Sequence, residues 1–464
     1  MAQRAASVAK ALACVVTLLV SKSRGQLKQS SRFGNKPFVT VWNAPTQDCV
    51  RHSVNLDLSM FDITSSPNEG FYNQNLTIFY KERLGKYPYY QGQQAVNGGV
   101  PQNSSLLEHL TAMERDIERY MRSQTTNGLA VIDWEEWRPL WIRNWKDKEI
   151  YRNNSRRLVS EKHPDWPEIQ VNRQAQFEFE QSAQRFMVET LRKARNFRPH
   201  SLWGFYLFPD CYNHDYKNNM ANYTGRCPDV EISRNELLSW LWTNSTAIFP
   251  SIYLDSMLQS KSSAIRFVRS RIKEALRVSE LHSVNFSLPV FVYSRPTYSY
   301  TFNLLTQDLL TTIGETAALG AAGIIFWGDA DYSNSESRCK VLRRYLEGHF
   351  GRYILNVTMA AQYCSQTLCH GQGRCERRDS QSNAYLHLNA NSFQILEQNV
   401  TEGPKLLLTG SLRSDDIRQF QENFQCRCYR GWTGQSCSTE TSGCQLPLSS
   451  ALNLIITVLL SLTI

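Results

Sequence analysis

The chain has 464 residues, of which 42% are hydrophobic and 11% aromatic, enough apolar material to bury a sizeable core, and its formal net charge is +9. It holds no basic block of five or more and no nucleic-acid motif, so this modest surplus excludes a DNA- or RNA-binding role while suiting a polyanionic ligand. Twelve cysteines and eight Asn-x-Ser/Thr sites (Asn75, Asn103, Asn153, Asn222, Asn244, Asn285, Asn356, Asn399) point to an oxidising, glycosylating compartment.

Arg4 and Lys10 lead into an apolar run, Ala11 to Val20, that is too short to span a bilayer but has the order of a secretory signal. Residues 1–25 are therefore expected to be removed. Four basic residues leave with them, which brings the charge of the mature chain to about +5.

Next come seven apolar, β-rich runs: Phe38 to Trp42, Thr77 to Tyr80, Leu129 to Ile132, Leu202 to Tyr206, Phe249 to Leu254, Leu288 to Tyr293 and Gly323 to Trp327. Helical patterns separate them, at Leu106 to Arg122, Gln174 to Arg195, Ser262 to Glu280 and Leu305 to Leu319. Alternating βα units over this length predict a single α/β domain, residues 26–360, folded as a distorted TIM-like (β/α) barrel of about seven strands. Catalytic groups of such barrels sit at the C-terminal strand ends. Those ends carry Asn43, Tyr80, Asp133 with Glu135, Tyr206, Tyr253, Tyr293 or Tyr298, and Trp327. Aromatic and polar groups converging there suit sugar rings.

The third run is the most informative. Leu129 to Ile132 lead straight into Asp133 and Glu135, and side chains two apart on a strand share a face, so a general acid and a partner point the same way. Asp116/Glu118, Asp147/Glu149 and Asp229/Glu231 repeat the spacing without a preceding apolar strand, so they read as solvated surface.

Beyond residue 360 the composition changes. Cys364, Cys369 and Cys375 are followed by Cys426, Cys428 and Cys437 in a C-x-C-x-x-G-x-x-G-x-x-C run, the spacing of an EGF-like module over 361–438. Its 376–425 segment exceeds an ordinary loop and reads as an insertion. The expected pairings are Cys364 with Cys375, Cys369 with Cys426, Cys428 with Cys437, Cys211 with Cys227, and Cys49 with Cys339. Residues 439–464 combine a Ser/Thr-rich patch, Gly443 and an uncharged apolar tail, the pattern of a glycosylphosphatidylinositol attachment signal with Gly443 as the attachment point. The expected location is the extracellular face of the plasma membrane.

Five stretches, VWNAPTQDC, DWEEWRP, LWGFYLFPDCYN, FPSIY and AAGIIFWGD, resemble the signature segments of the animal hyaluronidases, glycoside hydrolase family 56, in order and over about Phe38 to Cys437. The terminal signals make the chain most similar to lipid-anchored members. The resemblance implies hydrolysis of the β-1,4 bonds of hyaluronan, with Glu135 as proton donor and Asp133 holding the substrate acetamido group. It further implies Tyr206 and Tyr253 as orienting hydroxyls, Trp327 as a wall, and Tyr80, Asn43 and Tyr298 as further substrate-binding residues. No metal or organic cofactor is implied. Chondroitin, which differs at one hydroxyl, is the alternative polymer. An anchored hyaluronan receptor with little activity and a chitinase-like hydrolase are the alternative functions.

Overall fold

The computed structural model describes residues 36–66, 73–281, 286–299, 301–400 and 403–441. The predicted signal, Gly443 and the apolar tail lie outside the described residues.

Strand β1 (Val39–Asn43) pairs in parallel with the short β2 (Ile63–Thr64) on one side. Strand β3 (Leu76–Tyr80) follows, then a small hairpin, β4 (Tyr89–Gln91) and β5 (Gln94–Val96). Strands β6 (Leu129–Asp133), β7 (Leu202–Phe205), β8 (Phe291–Ser294) and β9 (Gly323–Trp327) complete the parallel set. One sheet runs β2-β1-β9-β8 and the other β3-β6-β7. Isolated parallel bridges, Tyr206 to Phe249, Ile248 to Val290 and Ser251 to Tyr293, join β7 to β8. Across the remaining gap the Ser65 hydroxyl donates to the Leu76 carbonyl at 2.7 Å.

The fifth apolar run, Phe249 to Leu254, is thus a strand position without a regular ladder, and Ile63–Thr64 is a strand too short to show in the sequence. Pro250 leaves this run one N–H short of a ladder, and beside it a Cβ on Gly204 of β7 would stand 2.3 Å from the Ala247 carbonyl. Arg271, buried on the helix Ser262–Glu280, takes over from the ladder by donating Nε to the Ser251 carbonyl at 2.6 Å.

Helices Leu106–Tyr120, Glu168–Phe197 and Ser262–Glu280 cover the sheet where periodicity placed them. The predicted Leu305 to Leu319 helix is shorter, a π turn at Leu310–Gly314 running into Glu315–Ala318. Glu231, read as solvated, is buried and bridges Arg143 and Arg234.

The helix Gly351–Leu368 runs unbroken through residue 360, so a domain boundary there falls inside a helix. Past it, β10 (Gly373–Arg377) pairs antiparallel with β13 (Phe424–Cys428). Glu376 and Gln425 are register partners, so the insertion begins only after Arg377. It is folded, as the hairpin β11 (Phe393–Val400) and β12 (Gly403–Gly410) followed by the helix Ser414–Asn423. All five expected disulfides are present. Cys49–Cys339, 290 residues apart in sequence, ties the first barrel unit to the last.

The C-terminal module is locked to the barrel by a buried ion cluster. The Glu315 carboxylate, fully inaccessible, accepts from Arg269 at 2.6 Å, from Arg377 at 2.7 Å and from the Tyr385 hydroxyl at 2.8 Å. Burial alone would raise the Glu315 carboxyl, but hydrogen bonds and charge from the two arginines outweigh it and hold the group below its ordinary range.

Candidate active site

Alternation along each strand turns one set of side chains into the barrel. Low in the barrel this set is apolar: Val39 and Val41 on β1, Leu76 and Ile78 on β3, Leu129 and Val131 on β6, Ile325 on β9. At the C-terminal ends it turns polar and aromatic. The result is an open cleft of about 410 Å³ lined by Ile78, Val131, Asp133, Glu135, Tyr206, Tyr253, Tyr293 and Trp327.

Asp133 is the last residue of β6, register-paired with Tyr80. Its Oδ1 is buried with no protein partner. Burial, reinforced by the charges of Glu135 and Glu136, pushes its carboxyl up to about 8, so Asp133 is neutral at pH 7. Glu135 differs sharply, with a side chain 51% exposed.

Glu135 lies beyond the end of the strand, and side-chain groups replace the ladder in holding it. Arg138 Nη1 donates to its carbonyl at 2.9 Å, and Arg138 Nη2 lies 3.4 Å from its Oε2. The Lys148 ammonium donates to the same carbonyl and, at 3.1 Å, to that of Glu136. The Glu136 carboxylate accepts from the Glu135 amide at 3.2 Å and is paired with Lys81 at 2.8 Å. Between the two acids Trp134 points the other way and stacks on Tyr87 at 4.4 Å, which pins the alternation in the outer core. Burial and the neighbouring Arg138 charge pull the Lys148 ammonium down to about 8.

Tyrosines continue the lining beside the acids. Tyr206 and Tyr253 stand 6.5 Å apart by ring centroid, and Tyr253 stacks on Trp327 at 6.2 Å. The Ser251 and Tyr253 side chains both lie against the Tyr206 hydroxyl. Burial, ahead of every other effect, raises both phenols, so each is a neutral donor across the physiological range.

Glu135, Asp133, Tyr206, Tyr253 and Trp327 therefore meet in one cleft, as the sequence placed them. Tyr80 stands beside it, its hydroxyl bonded to the Trp327 indole. Asn43 ends β1 opposite Trp327, and its fully buried amide has no protein partner on either atom.

Tyr298 is a correction. It is fully buried beyond the end of β8, and its hydroxyl donates to Asp308 at 2.5 Å, so it packs the following loop and does not line the cleft. The β8 residue that does is Tyr293. Arg295, Lys148 and Ser251 are further groups at the site that strand patterning did not single out. Tyr293 and Arg295 obey the same alternation as Asp133 and Glu135, and that was the available signal. Among the described residues no cluster of three His, Cys, Asp or Glu side chains could hold a metal ion.

A parallel barrel presenting an acid pair and an aromatic cleft at its C-terminal strand ends is the build of a glycoside hydrolase. The family model for glycoside hydrolase 56, hyaluronidase, matches residues 27–441, and the chain belongs to that family. Within it the chain is 52% identical over 424 residues to hyaluronidase-2 of Mus musculus, covering 90% of each. It is 53% identical to hyaluronidase-2 of Homo sapiens over 408 residues, 87% of this chain and 86% of the human one. Among solved structures, bee venom hyaluronidase superposes with a TM-score of 0.60 at 30% identity, over 68% of this chain and 99% of that one. The same bee enzyme in complex with a hyaluronic acid tetramer gives 0.59 at 29% identity, over 68% and 98%.

Proposed function

We propose that the chain is an endo-acting β-N-acetylhexosaminidase that hydrolyses the β-1,4 bonds of hyaluronan with retention, the substrate's own acetamido group serving as nucleophile. One observation carries the mechanism. Asp133 and Glu135, the carboxylates lining the cleft, come from one strand end and one face, and the rest of its lining, Ile78, Val131, Tyr206, Tyr253, Tyr293 and Trp327, holds no further carboxylate. A retaining enzyme with a carboxylate nucleophile needs two acids flanking the sugar from opposite sides, about 5 Å apart. Two acids on one side leave the acetamido carbonyl to attack the anomeric carbon from beneath.

Glu135 delivers the proton to the glycosidic oxygen as that bond breaks, then takes one from the water that opens the cyclic intermediate. Asp133, buried beneath, offers its unpartnered Oδ1 as acceptor to the acetamido N–H and so holds the group for attack. Tyr206 and Tyr253, neutral donors, orient the attacking carbonyl.

The decisive experiment is size analysis of hyaluronan incubated with the purified protein and its Glu135→Gln variant from pH 3.5 to 7.5. Cleavage by the wild type alone is expected, because the amide has no proton to transfer. Even a tenth of wild-type turnover in the variant would overturn the assignment of Glu135. Parallel digestion of chondroitin defines the polymer preference. Cell-surface attachment through a glycosylphosphatidylinositol group at Gly443 completes the reading. It predicts that a phosphatidylinositol-specific phospholipase releases the enzyme from cells, and persistence on the treated membrane would overturn it.

A further inference from the structure

We propose that Arg295 is the specificity-determining cation of the cleft, pairing with a uronate carboxylate of the bound polymer and so separating uronate-containing chains from neutral ones. The inference rests on the hydrolase reading above and adds the group that reads the substrate's charge.

Tyr293 lines the cleft from β8, and Arg295, two residues on, follows the same face. Arg295 is 8% exposed. Its guanidinium carbon lies 5.2 Å from the Trp327 ring and 5.9 Å from that of Tyr253, both walls of the cleft. Such stacking fixes the plane of the fork. One edge is taken, since Nη2 is paired with Asp329. Nε is buried and has no protein partner.

The other cations recorded around the acid pair are already committed. Arg138 and Lys148 hold Glu135, and Lys81 holds Glu136. Arg295 comes instead from the end of β8, and a uronate carboxylate would take the place of the half-exposed Asp329 on its fork.

A polymer with a carboxylate on every second sugar gives up water around that charge on entering an aromatic cleft, whereas a neutral poly-N-acetylglucosamine does not, so the charged polymer needs a cation there. A planar guanidinium offers a carboxylate a paired donor geometry that a hydroxymethyl group cannot use. Asp329, with a side chain 45% exposed, is placed to act as the counter-ion of the empty cleft.

The test uses the full-length Glu135→Gln protein, in which cleavage is blocked, and two probes. One is a hyaluronan hexasaccharide; the other is the same oligosaccharide with each carboxylate reduced to a primary alcohol. Adding Arg295→Gln is expected to weaken binding of the charged probe about 10- to 100-fold, the range of one charge-assisted hydrogen-bonded pair, and to change the reduced probe by less than about twofold, within ordinary scatter for sites that do not interact. Arg295→Lys, which keeps the charge and loses the fork, is expected to show an intermediate loss confined to the charged probe. Equal weakening of both probes would overturn the proposal by making Arg295 a packing residue, as would unchanged binding of the charged probe. Failure of the wild-type protein to cut hyaluronan at all would instead reject the hydrolase reading.

Discussion

The Arg138 guanidinium spans Glu135, donating to its carbonyl oxygen at 2.9 Å and standing 3.4 Å from its carboxylate. This contact, with the Lys148 ammonium on the same carbonyl, does for Glu135 what the β-ladder does for Asp133. Lys148→Met is therefore expected to lower kcat about tenfold or more, the weight of a hydrogen bond to a charged donor, while KM for the polymer changes little. Lys148→Arg should recover most of the loss. A rise in KM at constant kcat would show instead that Lys148 binds substrate.

Tyr253 lines the cleft beside Tyr206, so Tyr253→Phe removes a hydroxyl without removing the stack on Trp327. Turnover should fall about 10- to 100-fold, a loss of roughly 1.5–3 kcal/mol, with polymer affinity nearly unchanged. Steady-state kinetics beside direct binding would separate the two effects, and equal activity would make Tyr253 a packing residue.

Asp133 links the site to stability. Its folded carboxyl is raised to about 8, while an unfolded Asp ionises near its ordinary value of 3.8. Between those values the native state holds the extra proton, so stability is fully present below pH 3.8 and declines as pH rises through 8. Asp133→Asn carries no such charge. It should match the wild type in thermal unfolding near pH 4 and exceed it near pH 8, by up to about 5 kcal/mol. A gap that does not grow with pH would contradict the neutral Asp133.

Glu315→Gln leaves Arg269 and Arg377 buried without their anion. The expected cost is about 3–5 kcal/mol, read as a lower denaturation midpoint. Because both arginines also donate to carbonyls of the C-terminal segment, at Gln381 and Ala384, limited proteolysis should cut that segment first. Loss of stability without early cleavage there would show that the cluster does not join module to barrel.

His109 changes stability with pH in the opposite sense to Asp133. It is fully buried, its Nδ1 accepting from the Lys86 amide at 2.9 Å and its Nε2 bonded to the Thr190 hydroxyl at 3.0 Å, and burial pulls it down to about 3. The unfolded chain takes a proton near 6.5, so this stability is present above that pH and is lost as pH falls toward 3. Acid unfolding should accordingly steepen below pH 6.5, and less so in His109→Gln.

Much of the site was legible in the amino-acid order because strand alternation is a local property. Apolar runs of period two put Asp133, Glu135, Tyr206, Tyr253 and Trp327 at the ends of inward-facing rows, and the structure brings those five together. Cys211–Cys227, Cys364–Cys375 and Cys428–Cys437 were likewise legible, since cysteines so close in sequence leave few geometries. Tyr298 marks the limit. It follows β8 closely enough in sequence to resemble a strand end, but the chain turns after Ser294 and buries it against Asp308.

By itself, then, the sequence determined the order of strands and helices, the facing of side chains along each strand and the identity of the acid pair, all set by steric and hydrophobic periodicity within a few residues. Tertiary structure alone decided what those groups experience. The Asp133 carboxyl is pushed up because the barrel buries it, whereas the Glu135 side chain stays half exposed. Glu135 keeps its aim because Arg138 and Lys148 reach it from the following loop. Glu231 is buried because Arg143, 88 residues away, arrives to pair with it. Desolvation and charge pairing depend on chain segments far apart in sequence, and only folding fixes their distances.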